Sequence, residues 1–413
     1  MSDMNRRDFL AIGTGMVSAL VLTGTESSLL AQIAQDTPPL PTAMIGLGRQ
    51  GRALLGELGK FPFVKVKALC DVVDSRLQAA RRRAQDATGY LDYRELLDKE
   101  NEVKAVFIAT PSHLHKEIAV ACVAAGKHVY CEAPLATTIE DCKAIAQAAQ
   151  TAPTVFHVGL QWRSNPIYDL ARTFVVSGSI RDVVSLRAQW NNKTSWRTPA
   201  SDPAREREVN WHLYKGTSIG LEGELGIHQF DVVTWFLNKL PESVSGTGRT
   251  LLYDDGREIP DTVHCTLTWP GWIEMSYQAT LANSYGGRYE ELMGTMGAVR
   301  LIGDFGWLFK EADAPTQGWE VYAIRQNFHK EEGITLIADA TKLAKQGKLK
   351  EGVGLPNPPL YYGIEAFLVS VTGNKPSAVP AALGLRASVI GIKAHEAVMT
   401  GAPIRFEEDW FKV

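Results

Sequence analysis

The sequence lacks an excess of either charge, a regular cysteine pattern and any internal repeat. Its 43 Lys and Arg oppose 46 Asp and Glu, which gives a formal net charge of −3. This near balance provides no electrostatic reason to expect a nucleic acid or an anionic membrane surface as a partner. A hydrophobic fraction of 45% and a charged fraction of 22% are ordinary for a globular enzyme. With 413 residues, the chain is long enough for two domains with their own cores.

The cysteines are few, odd in number and without the spacing of metal ligands. Four of the five fall in predicted strands or helices of one α/β unit. We therefore predict that they are small buried hydrophobic residues, and a disulfide or metal role is the disfavoured alternative. The five are Cys70, Cys122, Cys131, Cys142 and Cys265.

Residues 1–35 differ from the rest of the chain. Arg6 and Arg7 precede Phe9 and Leu10 and then a weakly apolar run interrupted by glycines, which resembles a twin-arginine export signal. The run is short and rich in Gly, Ser and Thr, which disfavours a membrane span. We expect export to the periplasm or the exterior, with no stable membrane insertion after processing. An uncleaved anchor and a chance arginine pair are the alternatives.

A glycine-rich loop follows the first predicted strand, which begins near Thr42. The pattern Gly-x-Gly-x-x-Gly separates this strand from a helical pattern, and a second strand ends at Asp71, twenty residues beyond the last glycine. The first glycine permits a tight turn, the second lets backbone approach a pyrophosphate, and the third lets helix and strand pack closely. The predicted cofactor-binding residues of this loop are Gly46, Gly48, Arg49, Gln50 and Gly51.

Asp71 predicts which dinucleotide the loop binds. Its carboxylate should accept hydrogen bonds from the ribose hydroxyls. Val72 and Val73 follow it, and neither position offers an arginine for a 2′-phosphate. NAD is therefore favoured over NADP.

Strands and helices then alternate as far as residue 160. Such alternation predicts a parallel, doubly wound sheet, and ligands lie at the carboxyl ends of its strands. Thr110, Pro111, His115 and Glu132 stand at or just beyond strand ends and should line the cofactor cleft. For His115 the alternative is a helix-start residue without a ligand. Residues 42–160 are thus predicted to form an NAD-binding Rossmann domain.

The pattern changes in residues 161–413. A helix leads into an alternating strand, and a hairpin is predicted to turn at Pro270 and Gly271. Further short strands follow, and a helix at about residues 383–399 lies near the end of the chain. These features predict a second α/β domain with a largely antiparallel open sheet.

Several of these motifs together resemble one enzyme family. "GLGRQG", "ATPSHLH", "GKHVYCEAPLA", "QWRSNP" and "GELGIHQFD" are similar to motifs of the glucose–fructose oxidoreductase, inositol dehydrogenase and MocA superfamily. The likeness covers essentially everything after Thr42. It implies a Rossmann domain, a second domain whose open sheet often makes oligomer contacts, a nicotinamide cofactor, and a sugar or polyol substrate. A homo-oligomer through that sheet is therefore expected.

The chain departs from this family at one position that bears on proton transfer. In the usual pattern, a lysine and then a proline follow the residue equivalent to Glu132, and the lysine helps to move the proton of the reacting hydroxyl. Here the lysine position holds Ala133. The departure does not touch cofactor binding, but it requires another proton carrier.

A second motif offers a base. Glu224, His228 and Asp231 are spaced i, i+4 and i+7, so a regular helix would place them along one side. The resemblance implies that His228 is the catalytic histidine, and flanking carboxylates would fix its tautomer. The alternatives are a histidine that ties the two domains together and a metal site, for which third and fourth ligands are missing.

Aromatic residues between the two motifs suggest a carbohydrate site. Indole rings beside polar groups suit the C–H faces and hydroxyl edges of a sugar, although each tryptophan could instead pack within a loop. Tyr214 and Lys215 are titratable and close in sequence to the His228 motif, so they are predicted to replace the missing lysine. The predicted substrate-facing residues are Trp190, Trp196, Trp211 and Arg163, the last of which should also brace the domain junction.

Export and an NAD cofactor together restrict the reaction. Little free NAD exists outside the cytoplasm, so an exported enzyme needs a cofactor that stays bound and is restored in each cycle. Paired oxidation and reduction of two sugars meets this need. Glycoside hydrolysis through transient ring oxidation and elimination also meets it. A non-catalytic protein that binds sugar or NAD is the hypothesis from another class.

Overall fold

The computed structural model describes residues 38–200 and 202–413. The leader predicted at residues 1–35 lies outside the described residues. Two sheets organise the described chain, and the first consists of six parallel strands in the order β3-β2-β1-β4-β5-β6. This arrangement confirms the predicted doubly wound sheet. The strands are β1 Leu40–Ile45, β2 Val64–Cys70, β3 Thr88–Tyr90, β4 Ala105–Ile108, β5 His128–Cys131 and β6 Phe156–Val158.

Helices cover both faces of this sheet, so its central strands are apolar throughout. Every residue of β4 is buried, as expected for a strand with helices on either side. The last of these helices begins where the Thr138 side chain accepts a hydrogen bond from the Asp141 backbone, a typical N-cap. The helices of this unit are α1 Arg49–Leu58, α2 Asp74–Arg81, α3 Tyr93–Lys99, α4 His115–Ala124 and α5 Ile139–Thr151.

The second sheet has ten strands in the order β14-β15-β13-β12-β11-β7-β10-β9-β8-β16. All of its neighbouring strands are antiparallel except β7 and β10. The predicted hairpin is confirmed, since Trp269 pairs with Ile273 across the turn. The strands are β7 Val183–Asn191, β8 Ser243–Arg249, β9 Thr262–Trp269, β10 Ile273–Thr280, β11 Arg288–Gly294, β12 Gly297–Ile302, β13 Phe305–Lys310, β14 Arg325–Phe328, β15 Glu331–Thr335 and β16 Ile404–Arg405.

Helices cover one face of the second sheet and leave the other open. In β9, Val263 and Cys265 are buried whereas His264 and Thr266 are exposed. This alternation is typical of an antiparallel sheet with one solvated face. The helices of this part are α6 Pro166–Val176, α7 Glu206–Val209, α8 Ile227–Leu237, α9 Ala340–Lys345, α10 Pro359–Thr372 and α11 Ala381–Thr400.

Helix α10 does not belong to the second sheet, although the sequence placed all of residues 161–413 there. Tyr361 stacks on Phe61 with ring centroids 4.8 Å apart, and Phe367 meets Phe107 at 5.3 Å. The helix therefore completes the core of the first sheet. A second apolar core contains residues of both sheets, so the two units share packed residues at their junction.

All five cysteines are buried and free, which confirms their prediction as small hydrophobic residues. In the part of the chain that the structure describes, no helix combines the length and the apolar character needed to cross a membrane.

Candidate functional site

The loop after β1 has the geometry required for a pyrophosphate. Gly46 has φ +91°, and a side chain there would lie 2.5 Å from the Ala109 carbonyl. A Cβ at Gly51 would lie 1.9 Å from the carbonyl oxygen of Gly46, whereas a Cβ at Gly48 would meet nothing within 4 Å. Open space at Gly48 and the uncapped amino end of α1 leave backbone N–H groups available to an anion. The loop therefore fits the dinucleotide predicted for it.

Asp71 lies beside this loop at the end of β2. Its carboxylate accepts hydrogen bonds from the backbone N–H groups of Leu47 (2.7 Å) and Val73 (2.8 Å), and the residue is 6% exposed. These bonds fix the carboxylate against the glycine loop. The sequence did not reveal Arg205, whose Nη1 donates to the carbonyl of Val72 at 2.8 Å.

Gln50 and Glu132 form a polar pair at the ends of α1 and β5. Gln50 Nε2 donates to Glu132 Oε1 at 3.0 Å. Burial raises the pKa of the Glu132 carboxyl to about 7. Arg49 is exposed at the start of α1, and its charge contributes to lowering the pKa of His212. Glu132 is thus a group that can hold or release a proton near neutral pH.

The loop after β4 contains the predicted residues Thr110 and Pro111. The hydroxyl oxygen of Thr110 is buried and has no hydrogen-bond partner within residues 38–200 and 202–413. The structure engages both ring nitrogens of His115, which was predicted to line the cofactor cleft, in contacts with the protein. This histidine is buried, and its two ring nitrogens lie 2.9 Å from the carbonyl oxygens of Pro134 and Thr110. It ties this loop to the one after β5.

Glu224 crosses the junction between the two units. Its carboxylate accepts a hydrogen bond from the Ser112 hydroxyl at 2.9 Å. Burial raises its pKa to about 7. Ser112 was not selected from the sequence, because a serine after Pro111 carries no distinctive spacing signal.

The helix that carries Glu224 and His228 is not regular. Glu222–Gly226 forms a π-helical turn that leads directly into α8. The wider turn changes the angular spacing at Glu224, whereas His228 and Asp231 both lie in the regular helix α8. Gly223 is required here, since a Cβ would lie 2.4 Å from the Ile219 side chain. π-helical turns occur often at functional sites.

Neither carboxylate orients His228. Arg163 holds both oxygens of Asp231, with Nε–Oδ2 and Nη2–Oδ1 distances of 2.8 Å, and both side chains are largely buried. The predicted roles of Asp231 in catalysis and of Arg163 in substrate binding remain predictions, and the structure shows the two side chains bound to each other. Arg163 acts as the predicted brace, because its bidentate pair ties the loop after β6 to α8.

His228 is a neutral base at physiological pH. The ring is 8% exposed, and burial together with the nearby charge of Arg288 lowers its pKa to about 4. Its Nδ1 is buried and has no hydrogen-bond partner in the described chain. Trp190 lies beside it, with ring centroids 6.2 Å apart. The structure therefore brings one predicted tryptophan to the predicted base.

The other two tryptophans lie elsewhere. The Trp211 ring is 6.1 Å from the ring of His113, in the loop after β4, and 5.3 Å from that of His212. Trp196 packs edge-on against His212 at 5.1 Å and against the apolar core. Trp211 thus contacts the unit that contains the glycine loop, whereas Trp196 packs against the apolar core.

Tyr214 and Lys215, the predicted replacements for the missing lysine, both lie next to carboxylates. The Tyr214 hydroxyl donates to Glu206 at 2.5 Å, and this carboxylate raises the pKa of the phenol. Lys215 is exposed, and its backbone N–H donates to Glu258. In the described residues no contact joins either side chain to His228, and their role in place of the lysine stays a prediction.

Residues 192–217, apart from Ser201, form what we call the bridging segment. It leaves the end of β7 and contacts the first unit at two points: Arg205 bonds to Val72 after β2, and Trp211 packs near His113 after β4. Strands β2 and β4 flank β1 in the sheet. The segment therefore passes across the carboxyl end of β1, where the glycine loop lies.

In the described ranges, no group of three or more His, Cys, Asp or Glu side chains is arranged to hold a metal ion. The groups at the junction that can accept or donate a proton are instead the imidazole of His228 and the carboxyls of Glu132 and Glu224. All three have pKa values shifted by burial.

Two family models match the chain, and their matched residues include strands of both sheets. Residues 40–160 match the oxidoreductase family with an NAD-binding Rossmann fold, and residues 168–300 match the GFO/IDH/MocA C-terminal domain. The chain belongs to the GFO/IDH/MocA family. NAD is the cofactor of its first domain, in agreement with the geometry of the glycine loop.

Curated relatives include sugar and polyol dehydrogenases. The levoglucosan dehydrogenase of Pseudarthrobacter phenanthrenivorans is 30% identical over 180 residues, covering 43% of this chain and 44% of the relative. The inositol 2-dehydrogenase of Salmonella typhimurium is 29% identical over 206 residues, covering 48% and 55%. The uncharacterized oxidoreductase YrbE of Bacillus subtilis is 26% identical over 270 residues, covering 64% and 74%. The matches therefore span about half the length of the two dehydrogenases.

Solved structures share the fold over nearly the whole described chain. An oxidoreductase domain protein from Kribbella flavida has a TM-score of 0.72 at 21% identity, covering 90% of this chain and all of that one. A levoglucosan dehydrogenase in complex with NADH has a TM-score of 0.70 at 22% identity, covering 89% and 99%. These likenesses show a common fold.

Proposed function

We propose that this protein is an NAD-dependent oxidoreductase for a sugar or sugar derivative, in which NAD stays bound and is restored within each catalytic cycle. The bridging segment is the observation that carries the proposal. A dinucleotide seated on the Gly46–Gly51 loop would lie beneath it, because the segment contacts loops on both sides of β1. Release of the cofactor would then require these contacts to break.

The side chains at the junction support proton transfer from a hydroxyl group. When bound, NAD accepts and returns a hydride. His228 is neutral above pH 4 and has an unpartnered nitrogen, so it can accept the proton of the reacting hydroxyl. Glu224 holds a proton up to about pH 7 and can serve as the complementary acid. With Ala133 in the lysine position, these two groups carry the proton chemistry.

A carbohydrate substrate is supported by the relatives and by Trp190. Two relatives are named for levoglucosan and inositol, both of which are polyhydroxylated rings. The indole of Trp190 next to His228 offers an apolar face for sugar C–H groups. The substrate would thus lie between the end of β7 and α8.

Glycoside hydrolysis through transient oxidation is a second candidate. One relative is a 2,7-anhydro-N-acetylneuraminate hydratase of Escherichia coli, 27% identical over 208 residues that cover 48% of this chain and 51% of the relative. Two buried carboxyls with a pKa of about 7 suit elimination and hydration as well as simple redox chemistry. A non-catalytic binding protein is less consistent with a neutral, unpartnered histidine at the site.

The three possibilities differ in their products. Purified protein should be incubated with aryl glycosides and, separately, with pairs consisting of one aldose and one ketose. Our proposal expects one sugar to be oxidised as another is reduced, without added NAD and without aglycone release. Aglycone release would instead establish the glycosidase, and binding without either product would establish a binding protein. His228→Ala provides the control for catalysis at this site.

Two further proposals concern the whole chain. Arg6 and Arg7 support export by the twin-arginine route, which carries folded proteins and so suits an enzyme that acquires NAD before export. Replacing both with lysine should retain the protein in the cytoplasm, as cell fractionation would show.

The open face of the ten-stranded sheet supports a homo-oligomer, and light scattering of the purified protein would measure its mass.

A further inference from the structure

Arg288 places a positive charge beside the proposed base. It begins β11, opposite Trp190 in β7. Its guanidinium carbon lies 4.7 Å from the ring centroid of Trp162 and 5.4 Å from that of Trp190. The same charge contributes to the lowered pKa of His228. Arg288 therefore lies where a substrate in contact with His228 would bind.

In the described residues, no carboxylate lies within ion-pairing distance of Arg288. Its charge acts on Glu290 and Asp304, but burial raises the pKa of both carboxyls, that of Glu290 to about 7. Glu290 is also bound by the Tyr168 hydroxyl at 2.6 Å. A partly buried guanidinium with no carboxylate within 4.0 Å can use its N–H groups to donate to an anionic ligand.

A guanidinium that lies against indole rings can still bind an acidic ligand. Indole rings interact with the flat face of a guanidinium, and its N–H donors point outward in the plane. Such a fork matches the two oxygens of a carboxylate. Arg288 could have a purely structural role, in which the cation–π contacts hold it in place. Such a role would not explain why its charge lies next to the imidazole of His228.

We propose that Arg288 binds an acidic group of the substrate and makes the enzyme selective for sugars that carry a carboxylate. The inference rests on the proposed function, since it assumes that the sugar binds between Trp190 and His228. A phosphate would satisfy the same fork. We commit to a carboxylate, because its two oxygens match two parallel N–H donors of one guanidinium, and among the described residues no second arginine or lysine lies over these indoles.

Paired ligands test the proposal on the full-length, NAD-loaded protein. D-glucose and D-galactose would be compared with D-glucuronate, D-galacturonate and D-glucose 6-phosphate. Tryptophan fluorescence gives the dissociation constants, and absorbance at the reduced-nicotinamide band reports hydride transfer. We expect at least one uronate to bind tenfold or more tightly than its neutral counterpart, and this preference to weaken with added salt.

Two variants assign the preference to Arg288. Arg288→Gln should bring the affinities for the uronate and the neutral sugar within about twofold of each other, without weakening the neutral sugar. Arg187→Gln, on the exposed face of β7, should retain the full preference. If Arg288→Gln fails to fold, Arg288→Lys should keep part of the preference, because the charge remains while the fork is lost.

Several outcomes would overturn the inference. Equal or weaker uronate binding by the parent protein would do so, as would a preference that survives Arg288→Gln or an absence of sugar binding. A stronger, Arg288-dependent preference for the sugar phosphate would replace the carboxylate assignment. If neutral sugars reduce the bound NAD while acids do not bind, the proposed function stands and the inference fails. Arg288-dependent binding of uronates without any nicotinamide signal would support the inference and contradict the proposed function.

Discussion

At the scale of single residues, the chemistry depends on how burial changes proton affinity. His228 is kept neutral by burial, and the carboxyls of Glu132 and Glu224 are kept protonated up to about pH 7 for the same reason. Opposite shifts in neighbouring groups provide a base and an acid at one pH. We propose that these groups transfer protons in place of the lysine, whose position holds Ala133.

His228 is predicted to be essential for turnover but not for folding. His228→Ala removes the base, and positioned general bases typically contribute roughly 10²–10⁴ in rate. The loss corresponds to about 3–5 kcal/mol of transition-state stabilisation. Since the His228 ring makes no hydrogen bond to Glu224 or Asp231, the melting temperature and bound NAD should remain close to those of the parent.

Steady-state kinetics and thermal unfolding of the same preparation provide the check. The variant could instead unfold or lose NAD while the turnover per folded molecule stays normal. Either result would show that His228 serves to hold the two domains together and is not needed for turnover.

The pH dependence of kcat/KM should follow the two shifted groups. Activity should rise with pH through about 4, as His228 loses its proton and becomes a base. It should fall above about 7, as Glu224 loses the proton that makes it an acid. Glu224→Gln should abolish the alkaline limb and lower the maximum. An unchanged alkaline limb in that variant would transfer the role to Glu132, which has a similar pKa.

Asp71 is predicted to exclude NADP. Its buried carboxylate would repel a 2′-phosphate, whereas Arg205 at Val72 would attract one once the carboxylate is removed. Asp71→Ala should therefore reduce the preference for NAD over NADP by roughly tenfold or more. Calorimetric titration of both cofactors into cofactor-free protein measures this ratio. Asp74→Ala, at an exposed acid nearby, should leave it unchanged. Comparable affinity of the parent for both cofactors would contradict the assignment.

At the scale of elements, a π-helical turn contains Glu224 and leads into the helix that contains His228. Glu222 at its start is fully buried and bonds to His395 of α11 at 2.7 Å. This pair anchors the turn to the longest helix of the second unit. Because of the turn, Glu224 points to Ser112 across the junction, while His228 remains on α8 beside Trp190. A regular helix would have placed both on one side, as the spacing predicted.

The bridging segment is the element that should govern cofactor retention. Arg205→Ala removes a charged hydrogen bond to Val72, of the kind that contributes about 1.5–3 kcal/mol. We expect NAD to dissociate roughly tenfold faster, while affinity for the sugar stays unchanged. Arg207→Ala is a matched control, since Arg207 lies two residues further along the bridging segment but pairs with Glu258 of the second unit. Stopped-flow fluorescence of bound NADH measures both rates, and equal rates for the two variants would exclude this role.

At the scale of the whole molecule, the sequence predicted the architecture better than the site. The glycine loop, the parallel sheet and the antiparallel second sheet each follow from short-range patterns, and the structure contains all of them. The roles of Asp231, Tyr214 and Lys215 depended instead on which partner each side chain finds. Asp231 pairs with Arg163, 68 positions away along the chain, and no local spacing reveals such a contact.

The same limit applies to Arg205 and Arg288. Each lies in an unremarkable stretch of sequence and becomes informative only when the fold brings it to the cofactor loop or to His228. The assignment of α10 is a further example, since an apolar helix near the end of a chain can cover either sheet. Long-range packing decided these cases.

The central claim is that NAD stays bound through a complete cycle. Protein purified without added cofactor, desalted and free of external NAD should show bound nicotinamide. A first sugar should raise its absorbance at the reduced-nicotinamide band by about one equivalent, and a second should return it to the starting value over repeated cycles. A preparation that loses NAD on desalting, and turns over only when NAD is supplied in solution, would contradict the account.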